Sequence, residues 1–127
     1  MRKILILTAC MLCIACMHTF AQTLNCKKFK NGTFKTSYDG IIDTVIRNGA
    51  LQTELTNSAH KGSFNVKWID ECTYTLTPTA ETLNEQPDLP NGVVTVKITA
   101  IDKNTCKQTI TSTFSAQVIT MDVEKIK

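Results

Sequence analysis

At 127 residues the chain is the size of one domain, and 20% of its residues are charged. Its 14 basic residues exceed its 11 acidic ones, for a formal net charge of +3, but two of the basic ones are Arg2 and Lys3 at the extreme N-terminus. Without that pair the balance is 12 to 11. That near-neutral balance argues against nucleic acid or an anionic membrane as partner, since both call for a concentrated basic face, and the cluster of Lys27, Lys28, Lys30 and Lys35 reads as a solvated strand end.

Residues 1–21 read as an export signal. Arg2 and Lys3 form a positive start, and Ile4 to Met17 is an almost unbroken apolar run. Thr19, Phe20 and Ala21 then offer small residues at −3 and −1 for cleavage before Gln22. The run is shorter than the roughly 18–20 residues of a spanning helix. A rival reading is lipidation, at Cys10 in Leu7-Thr8-Ala9-Cys10 or, less well formed, at Cys16, which would anchor the product to the outer membrane. Cutting at Cys10 leaves only Ile4 to Leu7 as the hydrophobic stretch, so soluble periplasmic or extracellular residence is the expectation. Three of the six cysteines leave with the signal. Cys26, Cys72 and Cys106 remain, and three thiols in an oxidising space make one bridge and one free thiol.

Residues 22–127 read as a single β domain, punctuated every eight to twelve residues by turns. Asn31-Gly32 opens a strand over Thr33 to Tyr38, and Asp39-Gly40 turns it into Ile41 to Arg47. Asn48-Gly49 is the hairpin signal, since both residues tolerate the positive φ of a type I′ turn. That loop predicts Arg47 opposite Ala50, Ile46 opposite Leu51, Val45 opposite Gln52 and Thr44 opposite Thr53. Ile42, Ile46, Leu51 and Leu55 then share a core face, while Asp43, Arg47, Gln52 and Glu54 share a wet one.

Ser58 to Gly62 reads as a polar turn, followed by a strand on which Phe64, Val66 and Trp68 alternate with polar residues. Asp70-Glu71 leads to Cys72, Tyr74 and Leu76. An odd-numbered loop or a bulge is expected there, because it puts Trp68 and Tyr74 on one face. Pro78 to Gly92 is the one long connection, expected to be mobile, with helical character at most over Ala80 to Leu83. Val94 to Ala100, Thr105 to Phe114 and Ile119 to Glu124 complete the set. About eight locally connected strands predict an all-β, antiparallel up-and-down meander closing into a small barrel.

The run Cys26, Lys27, Lys28, Phe29, Lys30, Asn31, Gly32, Thr33, Phe34, followed by Arg47, Gln52 and Glu54 and then Trp68 to Leu76, resembles a family of small exported proteins of Bacteroidetes-type bacteria. That family is uncharacterised and similar in outline to lipocalin-like barrels. The resemblance implies a bridge between Cys26 and Cys72, with Cys106 as the spare thiol. Gly32-Thr33-Phe34 departs from the lipocalin Gly-x-Trp pattern, so ligand binding does not carry over with the fold. Members are also labelled topoisomerases, a label that a near-neutral exported domain gives no physical support.

The chemistry is sparse. His60 is the single histidine after the signal, no Gly-rich phosphate loop occurs, and the cysteines lack zinc-site spacing. No enzyme activity, cofactor or metal is expected. Two readings remain. Phe34, Phe64, Trp68 and Tyr74 line a pocket for a small apolar or amphipathic molecule, or the core is filled and the module binds an envelope or surface partner. In the second reading Arg47, Gln52 and Glu54 form a polar cluster on the outer surface.

Overall fold

The computed structural model describes residues 24–127. The export signal and both lipidation cysteines lie outside the described residues. Eight strands follow one another in an antiparallel meander: β1 (Gly32–Tyr38), β2 (Ile41–Asn48), β3 (Leu51–Thr56), β4 (Ala59–Trp68), β5 (Thr73–Pro78), β6 (Val94–Asp102), β7 (Thr105–Ser112) and β8 (Ile119–Lys125). Each pairs with its chain neighbours, and β1 pairs with β8 through Phe34↔Lys125, Lys35↔Glu124 and Thr36↔Val123, so the barrel is closed. Closure removes the sheet edges that a meander of this kind would otherwise expose.

The turns follow their local chemistry. Asp39 and Gly40 both take positive φ between the paired Tyr38 and Ile41, as a type I′ turn demands. The next hairpin is displaced by one residue from the expected tip. Asn48 pairs with Leu51, so the loop is Gly49-Ala50, and only Gly49 adopts positive φ (+61°), the pattern of a II′ turn. Asn31 secures that tip by accepting from Gly49 N at 2.8 Å. The true register pairs Arg47 with Gln52 and Val45 with Glu54.

The displacement shifts partners by two positions, so the residues expected to share a face still do. The faces themselves are reversed. Arg47 and Gln52 are each 3% exposed and point into the barrel, while Ile42 (47%), Ile46 (40%) and Leu51 (47%) stand outside. The neighbouring strand imposes this choice: Phe34 of β1 faces inward and pairs with Val45, and pleating then carries Asp43 and Arg47 inward with Val45.

Trp68 pairs with Tyr74 across Ile69 to Thr73, an odd-length connection, and their rings lie 4.6 Å apart. Two bulges modify the ladders. The shift at Glu54/Leu55 leaves Lys61 unopposed between Gly62 and His60, and that at Ile98/Ala100 sends Ala100 outward and Ile101 toward the core.

The two ends of the barrel differ. At one end the segment before β1 folds under the barrel as a 3-10 turn, Lys27–Phe29, with Phe29 buried. It is fastened by the Cys26–Cys72 disulfide, as the resemblance implied, while Cys106 is free and buried nearby. Phe29, Phe34, Val45, Ile98, Cys106 and Val123 pack there as one cluster. At the other end lies the long connection, which is tied down and not the loose strap expected. Helix α1 (Ala80–Glu85) is capped by Thr79, whose side chain accepts from Thr82 N at 3.2 Å. The buried Thr82 hydroxyl accepts from Ser63 N at 2.8 Å and donates to Ser63 O at 3.0 Å. Gly62 permits this docking, since a Cβ there would meet Phe64 and Thr82 at 3.2 Å.

Candidate binding cavity

The barrel is hollow above its packed end. A cavity of about 380 Å³ runs from the α1 end down to the level of Arg47, a volume within the range of small-molecule sites. One wall is apolar: Leu76 on β5, Val94 and Val96 on β6, Ile110 on β7, and Met121 and Val123 on β8. The facing wall, made by β2 and β3, carries a polar stripe of Asp43, Glu54, Gln52 and Arg47. Tyr38, Ile41 and Phe114 ring the mouth, each at least 39% exposed, beside Leu89 and Pro90 from the long connection.

Arg47 forms the floor. Its Nε donates to Gln52 Oε1 at 2.9 Å, Nη1 to the carbonyl of Phe29, and Nη2 to Tyr74 Oη at 2.8 Å. The guanidinium carbon lies 4.4 Å from the Tyr74 ring centre, 4.9 Å from Phe34 and 6.0 Å from Trp68, so three aromatic faces stabilise the cation. Burial still pulls its pKa below the usual arginine value, against the opposing influence of Tyr74, Cys106 and Glu54. An arginine nevertheless stays charged at any ordinary pH. The hydrogen bonds explain how so polar a residue can be inside: each bound nitrogen has an acceptor, although all three acceptors are neutral.

Higher in the stripe, Gln52 Nε2 donates to Glu54 Oε1 at 3.0 Å. Burial raises the pKa of the Glu54 carboxyl, and the Gln52 bond only partly opposes it. Near the mouth, Asp43 accepts from Thr56 Oγ1 at 2.6 Å and from Lys61 Nζ at 3.3 Å. Lys61 reaches the cavity because the β4 bulge re-aims it. Burial also lifts Tyr74 above its usual range and pushes the Cys106 thiol up to about 11.

Three of the four aromatics expected to line a pocket do so: Phe34, Phe64 and Tyr74. Trp68 does not. It sits at the packed end of β4, beneath the Arg47 floor, tilted against Tyr74 with Lys30 Nζ 5.0 Å from its ring centre. Arg47, Gln52 and Glu54 are joined by hydrogen bonds as a cluster, but inside the cavity and not on the outer surface. Arg47's compensating groups are Phe29, Phe34 and Tyr74, which a reading of one hairpin cannot include. Gln108, absent from the residues expected at the site, also lines the floor, with Nε2 3.4 Å from Tyr74 Oη. Its alternation with the buried Cys106 and with Ile110 on β7 was the available signal.

His60 is a strand residue and not part of a turn; the turn is Asn57-Ser58. Its Nε2 lies 3.2 Å from Ser63 Oγ, away from the cavity lining, and among the described residues no third group orients the ring. Among the described residues no group of His, Cys, Asp and Glu is placed to hold a metal ion, and no helix is long and apolar enough to cross a membrane. The fold and cavity together define a closed eight-stranded barrel hollow at one end. No family model, curated protein or solved structure matches the chain.

Proposed function

We propose that this protein is an exported, non-enzymatic binding protein that holds a small, largely apolar molecule inside the barrel. The observation that carries the reading is the 380 Å³ cavity, with an apolar wall on one side and a single polar stripe on the other. A side-chain-filled core would have sealed the space with the same strands. The disulfide accords with an oxidising compartment. The solvated His60–Ser63 pair offers no oriented base, which supports a binding role over catalysis.

The test is fluorescence titration with 1-N-phenylnaphthylamine, a neutral apolar probe. Wild type is expected to enhance and blue-shift its emission, and Ile110→Trp, which fills the cavity from β7, to abolish the effect while retaining the fold. Wild type that leaves the probe unchanged overturns the reading. A second reading draws on the outer face of the β2–β3 hairpin, where Ile42, Ile46 and Leu51 form an exposed apolar strip. There the protein is an envelope interaction module. Cross-linking to an envelope protein that Ile42→Lys/Ile46→Lys eliminates is the outcome that favours it.

A further inference from the structure

We infer that the occupant is an acidic amphiphile, its carboxylate set against the Arg47–Tyr74–Gln108 floor and its hydrocarbon along the β5–β8 wall. This rests on the ligand-binding reading above and names the class of ligand.

Arg47 is a buried charge with no ion-pair partner among the described residues. The ion pairs among the described residues are Lys30–Glu71, Lys61–Asp43 and Lys107–Asp122; Arg47 is in none of them. A buried cation is ordinarily paired, because neutral acceptors restore only part of its lost hydration. Its three bound nitrogens use three of the five N–H donors of a guanidinium, which leaves two. Tyr74 Oη accepts from Arg47 and from Gln108 Nε2, and among the described residues no hydrogen bond is donated by its own proton. The deep end of the cavity therefore presents donors in excess of acceptors, around a fixed positive charge. An anionic oxygen pair satisfies both conditions at once.

The carboxylates of the polar stripe do not remove this bias. Asp43 on β2 is already matched by Lys61 of β4 and by Thr56. Glu54 on β3 makes no ion pair with Arg47, because the Gln52 amide lies between them, accepting from Arg47 and donating to Glu54. The charged and titratable groups facing Glu54 are Asp43 and Arg47 from β2, Lys61 from β4 and Tyr74 from β5. Lys61 is a poor alternative seat for the head. It is half exposed and holds Asp43, so an anion there would compete with both water and a carboxylate. The opposite orientation also leaves hydrocarbon against the donor-rich floor.

The experiment compares three ligands of equal chain length, decanoate, 1-decanol and decylamine, as displacers of 1-N-phenylnaphthylamine from the purified, disulfide-intact protein at pH 7.5. Decanoate is expected to displace the probe at concentrations at least ~10-fold lower than decanol, with decylamine weakest. Tyr74→Phe, which keeps the ring, is expected to lower the decanoate preference by ~3-fold or more and to leave decanol unchanged. Arg47→Gln, provided that it still binds the neutral probe, should erase the preference. Equal displacement by decanoate and decanol overturns the assignment while leaving the binding reading intact, as does a lead for decylamine. A decanoate preference untouched by Tyr74→Phe places the head elsewhere and also overturns it. Failure of the neutral probe itself to bind defeats the binding reading, which is a separate result.

Discussion

The packed end of the barrel and the hollow end are built from the same eight strands yet do different work. At the packed end, Phe29, Phe34, Ile98 and Cys106 are each 1% exposed, and a disulfide ties the first segment to the start of β5. At the hollow end, the inward residues Leu76, Val94 and Ile110 face a cavity, and the rim is exposed. Cohesion is thus concentrated beneath Arg47 and open space above it. The lesson is that a barrel of this size can keep an internal cavity if one end is sealed by a separate segment.

The largest expected effects test that division directly. Phe29→Ala should cost about 3–5 kcal/mol in urea unfolding, whereas Leu76→Ala should cost only about 2 kcal/mol, at the low end for a buried leucine, because its methyl groups already border open space. Equal losses would show that the hollow end is packed in solution. Removing the staple comes next. Replacing Cys26 and Cys72 together by alanine frees a sequence separation of 46 and should cost about 2–4 kcal/mol, with little change for the wild-type protein until reductant is added.

A smaller effect is expected with pH. Burial raises the folded-state pKa of Glu54, so the native state binds its proton more tightly than the unfolded chain does. Its contribution is fully present below the ordinary glutamate range and is lost as pH rises through the raised value. Urea midpoints measured from pH 4 to 8 should therefore decline less for Glu54→Gln than for wild type. Cys106 and Tyr74, raised by the same cause, extend the decline into alkaline solution. A parallel decline in wild type and Glu54→Gln would place that carboxyl in contact with water. Smallest of all is the hairpin's outer face. Ile46→Thr should change stability by no more than about 0.5 kcal/mol, since the side chain already meets solvent. A loss of about 2 kcal/mol would return Ile46 to a buried face.

Much of the molecule was legible along the chain. Alternation at Phe64, Val66 and Trp68 and at Ile119, Met121 and Val123 fixed strand type, and Asp39-Gly40 marked a tight turn, because these signals are local. The odd connection that unites Trp68 with Tyr74 followed from pairing parity together with the placing of both aromatics in one core. The β2–β3 hairpin was different. It carries two usable faces, one aliphatic and one polar, and nothing within it says which is inside. Likewise Lys61 enters the cavity only through a bulge, and Thr82 anchors the long connection only by reaching Ser63, 19 residues away in sequence.

The order of residues alone determined the meander of antiparallel ribbons, since pleat and turn chemistry act over a few neighbours, although the β2–β3 and β3–β4 turns fall a residue or more from where it placed them. Which side of the second and third ribbons would be dry was decided only in three dimensions. There Phe29, Phe34 and Tyr74 converge from distant positions to shelter one guanidinium, and desolvating a charge is tolerable only where so many partners meet.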